Sequence, residues 1–170
     1  MLRIISDMKL LSTILLLVTI NCYAAKPITG EVLATHDGDT FTMLSKGKIY
    51  KIRLYGIDAP ELKQPYGQQS KFFLCQLICK KQILVIRKGR SYKRIVGRVF
   101  VDGEDVAVMM VKYGMAWTEP RFDKLNQYGS YQNYAVENSA GLWKDKQPVA
   151  PWLWRNEHRK KAQPLVTDYH

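Results

Sequence analysis

Apolar and polar residues alternate through the first half of the chain and predict strands over residues 28–35, 39–44 and 49–57. Turn signals separate them at Asp37-Gly38 and Ser45-Lys46-Gly47-Lys48. In the third strand Ile52 and Leu54 share one face, and Lys51, Arg53 and Tyr55 share the other. Arg53 is therefore expected to point away from the core. Residues 58–68, punctuated by Pro60, Pro65 and Gly67, read as loop. The apolar spacing then becomes helical over 69–81, with Phe72, Phe73, Leu74, Leu77 and Ile78 on the apolar side. Strands follow over 82–86 and 94–101, joined by the basic turn 87–93. Helices are expected over 105–113 and 128–140, ended by Gly114 and Gly141. Beyond Trp143 the chain is punctuated by Pro and Trp and closes in a basic tail over 155–161. Five short strands with three helices predict a mostly β, α+β domain: a five-stranded barrel of the OB type, an architecture with a nucleic-acid-binding face.

The beginning of the chain follows a different pattern. A slightly positive stretch (residues 1–9), an apolar run (10–20) and small residues around Ala24 have the three parts of a signal peptide. The apolar run is short for a membrane span. Cleavage after Ala24 leaves residues 25–170 as one domain, exported to a periplasm or secreted, with no stable membrane association. A lipid-modified Cys22 and an uncleaved anchor are the alternatives. Asn21 directly before Cys22 fits the first of them poorly.

The formal net charge is +11, and losing Arg3, Asp7 and Lys9 with the leader lowers it to +10. Such a charge attracts polyanions, among which nucleic acid competes with anionic membrane surfaces. The mature cysteines, Cys75 and Cys79, lie four apart in the expected helix, a spacing that rarely suits a disulfide within a helix. They are read as structural, with their redox state open.

Carboxylates and arginines cluster in the first half. Asp37-Gly38-Asp39 could offer oxygen ligands to a hard cation, and Asp58 can converge with Asp39 if their strands are neighbours. Taken alone, the triplet is as well explained by a turn. Glu61, just past Pro60, suits a general base that takes a proton from an attacking water. Arg53 and Arg94 suit a phosphate clamp, because a guanidinium matches phosphate with two parallel hydrogen bonds. The histidines are His36, His158 and His170, too few and too scattered for a histidine-based nuclease site.

The segments 32–41 (VLATHDGDTF), 52–61 (IRLYGIDAPE), 92–103 (YKRIVGRVFVDG) and 140–143 (AGLW) occur in an order that resembles the staphylococcal (micrococcal) thermonuclease family. The resemblance runs through most of residues 28–155. It implies a five-stranded OB-type barrel with three helices and Ca2+-dependent hydrolysis of DNA and RNA with little sequence preference. By position, it implies Asp39 and Asp58 as Ca2+ carboxylates and the Ala59 backbone carbonyl as a third ligand, in a place where the family often has Thr. It further implies Asp37 as a support reached through water, Glu61 as general base, and Arg53 and Arg94 as catalytic arginines.

Arg98 competes with Arg94 for the second arginine position; counting back from Asp102-Gly103 favours Arg94. Lys93 stands where the family usually has Gly, and with Tyr92 is expected beside the nucleotide. Phe122 is expected to lie partly in the core, with base stacking as its functional alternative. Trp117, Trp143, Trp152 and Trp154 are expected to pack the C-terminal segment.

The resulting expectation is an exported, monomeric, metal-dependent endonuclease acting on DNA and RNA. A non-catalytic OB-type nucleic-acid-binding module and an envelope adhesion protein are the rivals. Carboxylates beside a phosphate path count against the first, because they repel the ligand of a pure binder.

Overall fold

The computed structural model describes residues 26–119, 121–122 and 126–162. The expected leader and His170 lie outside the described residues. Strands β1 (Ile28–Thr35), β2 (Thr40–Ser45) and β3 (Lys48–Leu54) form a meander, and β5 (Gln82–Ser91) and β6 (Arg94–Val101) form a hairpin. Antiparallel pairing runs β3-β2-β1-β5-β6, and the parallel pairing of β3 with β6 closes the ring. This is the expected five-stranded barrel. Two-residue strands complete the pairing: β4 (Ile57–Asp58) pairs with β8 (Trp117–Thr118), and β7 (Glu104–Asp105) with β6.

The barrel closes because one face of each strand is apolar. Val32, Phe41, Met43, Ile52, Leu54, Val85 and Val99 are almost wholly removed from water. Burying a large aliphatic or aromatic side chain contributes about 1.5–3 kcal/mol, so this inward set dominates the fold. Arg53 lies on the opposite face of β3 from Ile52 and Leu54, as its place in the alternation requires.

Four α-helices are described where three were expected: α1 (Gly67–Ile78), α2 (Val106–Lys112), α3 (Gly129–Glu137) and α4 (Pro151–Ala162). The fourth replaces the expected basic tail. Pro151 stands at its first position, where a missing N–H and a fixed φ suit helix entry. At α2, Asp105 is the N-cap rather than the first helical residue, its side chain accepting from the Ala107 amide at 2.9 Å.

The third strand is also shorter than expected. Gly56 takes φ +79 and interrupts it, so Ile57 and Asp58 form a separate strand. Conversely, β5 extends through most of the expected basic turn, with a bulge between Arg87 and Gly89, leaving only Tyr92-Lys93 at the hairpin tip. On α1, Leu74 and Ile78 are buried while Phe72 is 64% exposed; a helix of this length packs only one stripe inward.

Cys75 and Cys79 form a disulfide, against the geometric expectation. Helix α1 ends at Ile78, and Cys79 is already extended at φ −61, ψ 135. The bridge therefore joins the last turn of the helix to the chain leaving it, rather than two residues within a helix. In the chain-entropy account so short a loop contributes about 2 kcal/mol. Replacing both cysteines by Ser should keep the fold, because Leu74 and Ile78 still anchor α1. The thermal midpoint should fall by no more than roughly 8 °C, as read by circular dichroism.

Candidate active site

The site forms where β2, β3 and β4 meet. The chain between β1 and β2 turns tightly: the Asp39 amide donates to Asp37 Oδ1 at 2.9 Å, and the His36 amide to the Thr40 carbonyl at 2.8 Å. Gly38 is required here, because a Cβ would run into the Ser70 side chain. The turn delivers Asp39 to the barrel mouth as a buried carboxylate, 2% exposed. Asp58, on β4, is 1% exposed.

Arg53 joins these two carboxylates. Its Nη1 donates to Asp39 Oδ1 at 2.7 Å and its Nη2 to Asp58 Oδ1 at 2.9 Å. The β2–β3 register sets Arg53 opposite Thr40, one residue from Asp39. Asp39 is held further by the Thr40 hydroxyl at 2.8 Å and by the Ala59 amide, which donates to Oδ2 at 3.1 Å. Arg94 reaches the same place from β6, its Nη1 lying 3.5 Å from the Thr40 hydroxyl oxygen. Arg98 is engaged elsewhere. Its Nε and Nη2 both donate to Asp105 Oδ2, at 3.0 and 2.8 Å, where it braces the start of α2.

Glu61 follows in the loop after β4, with its side chain 42% exposed. Its neighbour is a residue that the sequence pattern did not single out. Arg155, on α4, donates through Nη1 to Glu61 Oε1 at 2.8 Å and through Nη2 to Asp58 Oδ2 at 2.6 Å. Read as part of a solvated tail, Arg155 carried no local mark of a site residue. The available signal was Pro151 opening a glycine-free run that contains Trp152 and Trp154.

The structure thus brings together Asp37, Asp39, Arg53, Asp58, Ala59, Glu61 and Arg94, and adds Arg155. Tyr92 stands at the hairpin tip, 95% exposed, at φ +54. Lys93 lines a groove with Ile49, Lys51 and Arg87. Phe122 is 54% exposed rather than partly core, and its backbone carbonyl accepts from the Tyr55 hydroxyl. It borders a groove with Arg53, Tyr55, Lys88 and Arg90.

Trp117, Trp143 and Trp152 pack together, Trp117 lying 4.4 and 5.8 Å from the other two ring centres. Trp154 also packs within the C-terminal segment, at its edge. It stacks on His158 at 4.1 Å and lines an open groove with Asp37, Glu61, Lys63 and Arg155. Among the described residues, no three or more His, Cys, Asp or Glu side chains gather into a complete metal cage. What is present is a pair of buried carboxylates converging on one guanidinium.

Burial pushes the Asp39 carboxyl up to about 7, with Asp37 and Asp58 adding to the rise and Arg53 opposing it. Four carboxylates (Asp37, Asp39, Asp58, Glu61) lie near three guanidiniums (Arg53, Arg94, Arg155), and the raised Asp39 carboxyl brings the two sets close to charge balance.

An OB-type barrel with buried acids and arginines at its mouth is the class that fold and site define. Comparison with known proteins gives the family. Residues 51–145 match the family described as "Staphylococcal nuclease homologue". A Haemophilus influenzae protein named "Uncharacterized endonuclease" is 37% identical over 153 residues, covering 88% of this chain and 86% of its own. An Escherichia coli protein of the same name is 40% identical over 135 residues, covering 78% and 87%. The Arabidopsis thaliana "Staphylococcal-like nuclease CAN1" is 37% identical over 114 residues, covering 66% of this chain and 35% of its own. The chain belongs to the staphylococcal nuclease homologue family.

The raised Asp39 has a measurable consequence. The folded state holds this proton above the ordinary carboxylate value of 3.8 that applies on unfolding. Its contribution to stability is therefore complete at low pH and is lost as pH rises from about 4 to 7. In cation-free buffer, the stability of wild type relative to Asp39→Asn should decline across that window. Chemical denaturation at a series of pH values measures it.

Proposed function

We propose that the protein is an exported metal-dependent endonuclease that hydrolyses phosphodiester bonds of DNA and RNA. The carrying observation is the Arg53 fork, which brings Asp39 and Asp58 to one point beside Glu61 and Arg94. The names of the relatives support the nuclease part of this reading. Export is supported by the leader pattern and by the Cys75–Cys79 disulfide, a bond that persists mainly in oxidising compartments.

The donor set suits Ca2+. Asp39 and Asp58 present hard carboxylate oxygens, and Asp58 Oδ2 and Asp39 Oδ2 each accept one hydrogen bond among the described residues, which leaves lone pairs for a cation. In this reading Asp39, Asp58 and the Ala59 carbonyl hold Ca2+ and Asp37 supports it through water. When bound, Ca2+ supplies positive charge against the phosphate oxygens.

The remaining steps belong to side chains. Glu61 takes a proton from water as the water oxygen bonds to phosphorus. The ester P–O bond then breaks, and the leaving oxygen takes a proton from solvent. The two carboxylate bonds use two of the five N–H donors of Arg53. Its other donors, with those of Arg94, bind the phosphoryl oxygens as charge builds on them.

Beside Arg53, the groove containing Lys88, Arg90 and the exposed Phe122 suits a polynucleotide strand, with phosphates on the cations and a base on the ring. Tyr92 and Lys93 at the hairpin tip would meet the strand further out.

The direct test incubates the mature protein with plasmid and with RNA, with Ca2+ or with a chelator. Cleavage should require the cation. Binding without cleavage under every divalent cation would instead assign the barrel to a non-catalytic module.

Glu61→Gln should lower kcat/KM by at least about a hundredfold while retaining nucleotide binding and the thermal midpoint. Unchanged turnover would remove Glu61 from the base role. In that inactive background, Lys88→Ala combined with Arg90→Ala should weaken single-stranded DNA binding. The slope of log K against log salt should become shallower by about 1.4, the counterion release of two phosphate contacts. Fluorescence anisotropy across a salt series reads it.

A further inference from the structure

Helix α4 lies beyond residues 51–145, which carry the family match, yet it enters the site. Arg155 spans two carboxylates with one rigid fork. Nη2 donates to Asp58 Oδ2 at 2.6 Å; Nη1 donates to Glu61 Oε1 at 2.8 Å and to Asp58 Oδ1 at 3.2 Å. Glu61 Oε2 has no hydrogen-bond partner among the described residues. One oxygen of the candidate base is thus engaged by the fork and the other is open.

Gln64 links the same loop to the C-terminal segment. The buried Gln64 side chain accepts from the Glu61 amide at 3.1 Å and donates to the Val149 carbonyl at 2.5 Å. Gly67 closes the loop against the Glu61 carbonyl, leaving no room for a Cβ. Helix α4 itself is seated through Trp152 on Trp117, and Trp117 is the β-ladder partner of Asp58. The helix that presents Arg155 is therefore anchored to the strand pair that presents Asp58.

A glutamate in a loop has several rotamers, and holding it in one costs side-chain entropy. A lysine could offset the charge, but only a guanidinium presents two nitrogens in a fixed geometry to two acceptors at once. Arg155 lines an open groove with Asp37, Lys63 and Arg159.

We propose that Arg155 is a positioning residue of the active site: its fork holds Glu61 beside Asp58 with Oε2 turned to the attacking water. The proposal rests on the reading of Glu61 as general base. It makes the segment 145–155 a working part of the site rather than an appendage of the barrel.

The test uses the full mature chain. Arg155→Ala should lower kcat roughly ten- to a hundredfold, the range that misplacing a catalytic group costs, with KM changed by less than about threefold. Arg155→Lys, which keeps a cation beside Asp58 and secures folding, should fall between the two. Added to Glu61→Gln, Arg155→Ala should lower the residual rate by less than about threefold, because the group it positions is already disabled. Wild-type or faster turnover in Arg155→Ala, or an equal loss in both backgrounds, overturns the proposal.

A turnover-independent measurement accompanies these. Amide exchange over residues 59–67, read by mass spectrometry without substrate, should accelerate in Arg155→Ala; unchanged exchange overturns the positioning role. Failure of the nuclease reading would show separately, as absence of hydrolysis by the wild-type protein.

Discussion

Two buried carboxylates held together by one guanidinium govern this molecule. Asp39 and Asp58 are almost completely removed from water, at the start of one strand and the end of another. Unpaired, they would repel each other and demand hydration that the barrel mouth does not offer. Arg53 relieves both conflicts in part by donating to each from the strand between them, while burial still holds the Asp39 carboxyl above its ordinary range. Leaving one partner of a buried ion pair uncompensated costs on the order of 3–5 kcal/mol, a large share of the stability of a small domain. The polar mouth and the apolar barrel are consequently one structure: the inward face of β3 builds the core while its outward face secures the acids.

That arrangement has a direct bearing on function. Acids and guanidiniums nearly balance at the centre, whereas the chain as a whole carries a charge of +11. Cations on the outer surface, such as Lys88 and Arg90, can attract a polyanion over distances comparable to the Debye length. Close to the centre the carboxylates repel it, unless a cation or the guanidiniums intervene. A plain binder gains nothing from this pattern; a hydrolase does, because it needs a cation and a base within reach of the phosphate. The C-terminal segment supplies the second half of the same design by gripping the Glu61 loop through Gln64 and Arg155.

Much of this was legible along the chain, for a specific reason. Asp37, Asp39, Arg53, Asp58 and Glu61 fall within one meander and the loop after it; alternation placed Arg53 on the polar face, and the ordered motifs that resemble the thermonuclease family grouped it with the acids. Arg94 needed only the neighbouring hairpin and a count from Asp102-Gly103, and the structure separates it from Arg98 by giving Arg98 to Asp105. The misreadings came where local rules stop applying. The disulfide depended on where α1 ends, and the residue at which a helix stops is poorly marked in sequence when, as at Cys79, backbone conformation sets it. Phe72 and Phe122 were weighed by hydrophobicity, although a helix face and a surface loop leave each in water.

Taken by itself, the amino-acid order determined most of the strands and their inward faces, because period-two alternation allows only one face of each strand to be buried. It also determined which acids and arginines share the polar face. Closure decided the rest: the β3–β6 pairing, the seat of α4 on Trp117, and the arrival of Arg155 at carboxylates 97 and 94 residues earlier in the chain. No periodic pattern reaches across such separations. They are set by which surfaces remain to be covered once the barrel has formed, and that is a property of the packed molecule alone.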